Sequence, residues 1–336
     1  MKILVTGAAG FIGFHLTKRL AESGHTLVGL DNINDYYDVG LKYGRLEELG
    51  IARKSVGEAE YVQSVLYPDF RFIKADLTDL DLLRKIMEEN GFDKVCNLAA
   101  QAGVRYSFEN PYSYIRSNLV GFHNLLDLSY RNKVKHFIYA SSSSVYGNNA
   151  KVPFEESDRT DEPQSIYAAT KKSNELIAWV YASQLGLPAT GLRFFTVYGP
   201  WGRPDMAPFL FLKSILEGKE IKVFNHGNLS RDFSYIDDIV TGVVKVIESQ
   251  PADDRTGKVY NIGNSRPVRL MDFIGTLEKA AGREAVKKYV GMQKGDVYRT
   301  YANTAAIEND FNFKPDTPLE YGISEFCKWY RKYYGL

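Results

Sequence analysis

Residues 2–13 read KILVTGAAGFIG, and their pattern decides the fold. The apolar, partly β-branched run reads as a short buried strand that stops at Gly7. Glycines follow at 7, 10 and 13, and FIGFHLTKRLAESG (11–24) then shows helical spacing. In it Phe11, Leu16 and Leu20 lie on one side and Gly24 supplies the stop. Strand, glycine turn and helix in that order are the context that marks a dinucleotide-binding turn. Glycine lets the backbone fold tightly and approach a pyrophosphate, while the helix N-terminus offers free N–H groups and a positive dipole end. Taken alone, such glycines could equally serve packing.

Working outward, TLVGLDN (26–32) is a second strand ending at Asp31, 24 residues after Gly7. A carboxylate there can bond both ribose hydroxyls of an adenosine. A 2′-phosphate would meet a negative charge, and no arginine follows, only Asn32 and Ile33. The turn therefore favours NAD over NADP. FRFIKADL (70–77) is a third strand, and its Asp76 reaches the adenine edge or, as readily, Asp76 or Thr78 caps the next helix. DLLRKIMEEN is that helix, KVCNLAA (94–100) a fourth strand, and Ser113 to Arg131 one long helix. A strand at HFIYASS (136–142), a further helix and a strand at PATGLRF complete the series. Alternating strands and helices predict an α/β fold: a doubly wound parallel sheet covered on both faces. After Phe195, Pro200, Gly202, Pro204 and Pro208 crowd a loop where a smaller C-terminal α/β domain begins. The helix over 236–248 returns to the first domain. The expected division is 1–193 plus roughly 233–263 for the dinucleotide, and 194–232 plus 264–336 for the substrate. Residues 32–69 are a polar, Tyr-rich insertion.

Composition narrows the function classes. At 336 residues, 44% hydrophobic, 25% charged and net charge +1, the chain has an ordinary globular profile. Such a balance gives no pull towards nucleic acid or a membrane surface. Cys96 lies in an apolar run and reads as a buried thiol, and with Cys327 it makes no metal motif or disulfide framework. The five histidines never pair at ligand spacing, so no metal is expected. No charged-then-apolar leader and no apolar run of the ~18 residues a membrane span requires is present, which makes the cytoplasm the expected location.

The chemistry is carried further along. ASSSSVYG (140–147) places hydroxyls at the carboxyl end of a parallel strand, where open α/β sheets hold their ligands. SIYAATKKS (165–173) sets Tyr167 four residues before Lys171, on one helix face. Lys171 is expected to lower the phenol pKa towards neutrality. Tyr167 then takes a proton from a substrate hydroxyl while hydride leaves carbon for nicotinamide, and Ser142 holds the hydroxyl oxygen.

TGAAGFIG, Asp31, NLAA, SSSSVYG and YAATK together resemble the extended short-chain dehydrogenase/reductase family, within it the nucleotide-sugar epimerases and dehydratases. The likeness spans the chain. It implies that Gly7, Gly10, Phe11, Ile12 and Gly13 cradle NAD, with Asp31, Asn32, Asp76, Leu77, Leu98, Ala99, Ala100, Tyr167 and Lys171. RDFSYIDD (231–238) implies Arg231 on a nucleotide diphosphate, GDVYRTYANT (295–304) implies Asp296 and Arg299 on ribose and phosphate, and KVFNHG (222–227) implies Val223 and Phe224 beside a uracil ring. Relatives also imply a homodimer through a four-helix interface, built here from the 113–131 helix and the one bearing Tyr167.

Three fates of a 4-keto sugar divide that family. Dehydratases need an Asp-Glu pair where this chain has Ser143 and Ser144, so elimination is set aside. The segments LAAQAGVRYSFENPYSYIRSNLVGF (98–122) and TVYGPWGRPDMAPFLF (196–211) look most like bacterial UDP-glucuronate 4-epimerases. That likeness implies a UDP-sugar substrate whose carboxylate is cradled by Arg203, Ser144 and Thr196, with Arg105 as a second candidate. A 4-keto uronate is a β-keto acid, and it loses carbon dioxide readily when the carboxylate bond stands perpendicular to the carbonyl plane. Arg203 is expected to hold that bond away from the perpendicular. The alternatives are a UDP-glucose or UDP-N-acetylglucosamine epimerase, a UDP-glucuronate decarboxylase, an NADP-linked reductase and a non-catalytic dinucleotide sensor.

Overall fold

The computed structural model describes residues 1–250, 257–293 and 297–336. Its strands are β1 (Lys2–Thr6), β2 (Thr26–Asp31), β3 (Tyr61–Gln63), β4 (Phe70–Lys74), β5 (Lys94–Asn97), β6 (His136–Ser142) and β7 (Ala189–Phe194). They continue as β8 (Thr196–Tyr198), β9 (Glu220–Val223), β10 (Ser230–Tyr235), β11 (Lys258–Ile262), β12 (Pro267–Arg269) and β13 (Val286–Tyr289). The helices are α1 (Phe11–Glu22), α2 (Val39–Glu48), α3 (Leu80–Asn90), α4 (Tyr106–Glu109), α5 (Pro111–Tyr114) and α6 (Phe122–Arg131). After them come α7 (Ile166–Leu185), α8 (Ala207–Glu217), α9 (Ile236–Glu248), α10 (Leu270–Ala281), α11 (Ala305–Phe311) and α12 (Leu319–Tyr334).

Eight strands form one sheet in the order β11-β7-β6-β5-β1-β2-β4-β3. Every neighbouring pair is parallel except β3 with β4. β1 shows why the opening stretch decides the architecture. Its side chains alternate, so Ile3 and Val5 join the core under α1 and α9. Leu4 joins the core under α3, α6 and α7 on the other face. A strand apolar on both sides must be covered on both sides. The chain leaves β1 for β2 in one direction and reaches β5 in the other, so the crevice beyond the strands' carboxyl ends opens beside β1.

The expected strands all form, and the segment after α9 does return to the large sheet: β11 pairs with β7, and α9 packs on α1. The rest of the C-terminal part carries a three-stranded sheet, β12-β10-β8, and a two-stranded one, β13-β9, with α8, α10 and α12 against them. The polar insertion is ordered too, holding α2 and the edge strand β3.

The single helix expected over Ser113–Arg131 is corrected. α5 and α6 are joined by a π-helix, Ile115–Gly121. Within it the buried Asn118 turns towards the loop after β5, accepting from the Gln101 N–H at 2.8 Å and donating to the Gln101 carbonyl at 3.0 Å and Thr170 Oγ1 at 3.1 Å. Gly121 lies against Leu77, where a Cβ would come within 2.9 Å of the leucine's own. A widened turn of this kind relaxes the α-helical register where a side chain is needed elsewhere.

Candidate active site

A cavity of about 710 Å³ opens at the carboxyl ends of the parallel strands. Gly7, Gly10, Phe11, Ile12 and Gly13 form one wall. Gly7 has φ +72°, and a Cβ at Gly13 would sit 2.0 Å from the Gly7 carbonyl oxygen. Glycine is therefore compulsory at both positions. No side chain caps α1, whose N-cap position is Gly10, and its first turn has no acidic residue. The helix amides are left for an anion, so the turn fits a dinucleotide pyrophosphate.

Asp31, Asn32, Asp76, Leu77, Leu98, Ala99 and Ala100 line the next part of the same cavity. The Asp31 carboxylate accepts from the Ala9 and Ile33 amides at 3.2 and 2.8 Å, and Lys42 Nζ lies 3.6 Å away. Asp76 accepts from Asn32 Nδ2 at 2.9 Å and from the amide and hydroxyl of Thr78 at 2.8 and 2.7 Å. Burial pushes the Asp76 carboxyl up, but those donors outweigh it and hold it below its ordinary range. Asp76 ties the turn together. The cap of α3 is neither Asp76 nor Thr78 but Asp79, which accepts from Leu82 N at 3.1 Å.

On the far side stand Ser142, Tyr167 and Lys171. Ser165 caps α7 by accepting from Ala168 N at 3.1 Å, which sets Tyr167 in the first turn and Lys171 one turn on. Lys171 is buried, donates to the Ala140 carbonyl at 2.8 Å, and lies 5.9 Å from the Tyr167 ring centre. Burial draws its pKa down to about 8. The expectation that Lys171 depresses the phenol is corrected. Burial holds Tyr167 above its ordinary pKa, and the opposing influences are the Ser142 hydroxyl and the Arg203 charge. Ser142 Oγ in turn donates to Ser144 Oγ at 3.1 Å.

Ser144, Thr196, Arg203, Phe224 and Arg231 all line this cavity, as does Arg105. Arg203 forks onto Asp205 with bonds of 3.0 and 2.5 Å, and Tyr36 donates to the same carboxylate at 3.0 Å. The Arg105 guanidinium lies 5.1 Å from the Phe224 ring centre. Arg231 donates to the Ser230 and Tyr298 carbonyls at 2.9 and 3.3 Å. Val223 is corrected: as an inward residue of β9 it is fully buried in the core and does not face the cavity. Arg299 is also off the cavity wall, stacked 5.5 Å over the Tyr301 ring. Asp296 lies outside the described residues.

Sequence reasoning missed Tyr36, Lys42 and Asp205, which line the cavity, and Arg45 behind it. Arg45 is fully buried and donates to the carbonyls of Ala9 at 2.9 Å and Trp201 at 2.7 Å, stapling the glycine turn to the loop that carries Arg203. The insertion's tyrosines were the available signal. Its helix spacing puts Leu41, Lys42, Arg45 and Leu46 on one buried face.

A glycine turn that fits a dinucleotide on one wall and a serine, a tyrosine and a lysine on the other are the arrangement of a nicotinamide-dependent enzyme of the doubly wound class. The chain belongs to the NAD dependent epimerase/dehydratase family, whose model matches residues 3–263, and NAD is its cofactor. It is 50% identical to protein CapI of Staphylococcus aureus, over 99% of both chains. It is 44% identical to a probable UDP-glucuronate 4-epimerase of Rhizobium meliloti (strain 1021), over 99% of this chain and 98% of that one. A crystal structure of the UDP-glucuronic acid 4-epimerase of Bacillus cereus, in complex with UDP-glucuronic acid and NAD, is similar with a TM-score of 0.88 at 34% identity. That similarity covers 99% of this chain and 100% of the other.

Proposed function

We propose that this protein epimerises UDP-glucuronate at carbon 4 to UDP-galacturonate, through a transient 4-keto sugar. The observation that carries this reading is that Tyr167, Ser144, Thr196 and Arg203 meet in one cavity with the glycine turn. Bound NAD, held by the glycine turn and Asp31, would supply the chemistry of oxidation and return, with hydride removed from carbon 4 and restored to its other face. Tyr167 takes the proton of the 4-hydroxyl and later restores it, with Ser142 fixing the oxygen. Lys171, bonded to the Ala140 carbonyl at 2.8 Å, would hold the cofactor beside Tyr167. The sugar carboxylate lies on Arg203 with Ser144 and Thr196, the uracil beside Phe224 and Arg105, and the diphosphate on Arg231. In this reading residues 1–193 with 233–263 hold the cofactor, and 194–232 with 264–336 the sugar nucleotide. The molecule works as a homodimer.

Incubating purified protein with UDP-glucuronate, with no NAD added, and separating the products tests the reading. UDP-galacturonate is expected. Predominant UDP-pentose would make the protein a decarboxylase, and turnover of UDP-glucose without turnover of UDP-glucuronate would make it a neutral-sugar epimerase.

A further inference from the structure

Arg203 does not face the cavity as a free cation. Its Nε and one Nη2 hydrogen are bound by Asp205, at 3.0 and 2.5 Å. The pair is partly buried. A guanidinium has two edges that can each take a carboxylate in a fork. Asp205 occupies the side edge, which leaves the end edge, Nη1 with Nη2, for a ligand. Asp205 is itself held by a third group. Tyr36, from the insertion after β2, donates to its Oδ2 at 3.0 Å. The tyrosine is braced in turn: its ring packs 4.9 Å from Tyr106, and a Cβ at Gly103 would fall 2.3 Å from its hydroxyl. Burial pushes the Asp205 carboxyl up, yet Arg203 and Tyr36 together hold it below its ordinary range, so it stands ionised. Arg203 also reaches the chemistry, since its charge acts on the Tyr167 phenol.

We infer that Asp205, locked by Tyr36, is a positioning residue that fixes the place and plane of the Arg203 guanidinium and so decides between epimerisation and decarboxylation. The inference rests on the reading proposed above. A carboxylate bound in a fork lies in the plane and along the axis of its guanidinium, so the place and plane of Arg203 set where C6 stands relative to the sugar ring, and with it the tilt of the C5–C6 bond. In the 4-keto sugar, loss of carbon dioxide breaks the C5–C6 bond. Its electron pair passes into the C4 carbonyl as an enolate, and water supplies the proton that closes C5. The step requires the breaking bond to align with the carbonyl π system. Letting Arg203 shift frees C6 to swing towards that alignment, whereas Asp205 is not itself a proton carrier for Tyr167.

The test compares product partition in the wild type, Asp205→Asn and Tyr36→Phe, each supplied with UDP-glucuronate. Asp205→Asn keeps the shape but removes the charge and one acceptor, and Tyr36→Phe removes a single hydroxyl from an otherwise unchanged wall. The ratio of UDP-pentose, as ketone or alcohol, to UDP-galacturonate should rise at least tenfold in Asp205→Asn and by a smaller factor in Tyr36→Phe. A variant that loses both products in proportion, with the ratio at the wild-type value, would overturn the inference while leaving the epimerase reading intact. Wild-type protein that leaves UDP-glucuronate untouched would instead remove the reading on which it rests. Should Asp205→Asn fail to fold, the ratio in Tyr36→Phe decides alone: unchanged, it overturns the inference.

Discussion

Tyr167 and Lys171 sit one helical turn apart, yet the structure gives them different electrostatic neighbours. The phenol answers to Ser142 and Arg203, and the ammonium to the Ala140 carbonyl. Replacing Tyr167 by Phe keeps the ring and its edge-on contact with Tyr114 but removes the proton carrier. The rate of UDP-galacturonate formation should fall about 10²–10⁴-fold, the usual worth of a positioned acid–base group. An undiminished rate in that variant would discard Tyr167 as the base. Lys171 makes a prediction of its own in stability. Its pKa is near 8 when folded, against 10.5 ordinarily, because burial disfavours its charge. Between those values the unfolded chain holds a proton the folded chain lacks, so stability rises with pH there, by up to about 1.4 kcal/mol per pH unit. Other groups titrate in the same window, so the quantity to read is wild type minus Lys171→Met in urea unfolding. That difference should grow from pH 8 to 10.5, and a flat difference would refute it. That Ser142, Tyr167 and Lys171 would share one cavity was legible in the sequence, because the strand end and helix spacing place them. Which charge tunes the phenol was not, since Arg203 is 36 residues beyond Tyr167 and reaches it only through the fold.

At the scale of elements, α7 is anchored by a buried network that Ser142, Tyr167 and Lys171 do not join. Glu175, four residues past Lys171, takes a fork from Arg193 of β7 at 2.8 and 2.9 Å and a hydroxyl from Ser141 of β6 at 2.5 Å. Arg193 passes on to Tyr146 at 2.9 Å, and Tyr146 to Asn261 of β11 at 2.7 Å. Four elements of the sheet side are thereby set in register behind Ser142 and Tyr167. Both members of the ion pair are under 5% exposed, so removing one charge strands the other without water. Glu175→Gln should cost about 3–5 kcal/mol of unfolding free energy, the range for a broken buried pair. Glu175→Leu with Arg193→Met should recover part of it. Chemical denaturation measures both, and a loss below about 1 kcal/mol in the single variant would show the pair to be solvated. The sheet's strands were legible because apolar runs of fixed length between turn residues read locally. The π turn was not, because the pull on Asn118 comes from Gln101 and Thr170, which no local periodicity records. Val223 failed for a related reason: in EIKV alternation buries Ile221 and Val223 and exposes Glu220 and Lys222, so only Phe224, beyond the strand, turns into the cavity.

For the whole molecule, the outstanding surface is the outer side of α6 and α7. Leu176, Trp179 and Val180, at helical spacing on α7, are each about half exposed, at 58%, 52% and 47%. Ile115 and Val120 of the π turn add 42% and 47%. The two helices are locked side by side, since Tyr181 donates to Asp127 at 3.0 Å and packs edge-on against Tyr130 and His123. They therefore present these apolar side chains on one rigid face rather than scattered singly. Two copies meeting there would bring four helices together, a pairing that a stable dimer would need to bury roughly 1,200–2,000 Å² to hold. The arrangement has a consequence for the reaction, because α7 carries Tyr167 and Lys171 on its opposite, inward side. Light scattering on the eluting peak should give twice the chain mass for wild type and a single chain mass for Leu176→Glu with Trp179→Glu. The monomer should also turn over more slowly, as α7 loses its outer support. A wild type that elutes at single-chain mass at micromolar concentration would reject the pairing. A double variant that remains a pair would move the contact to another face.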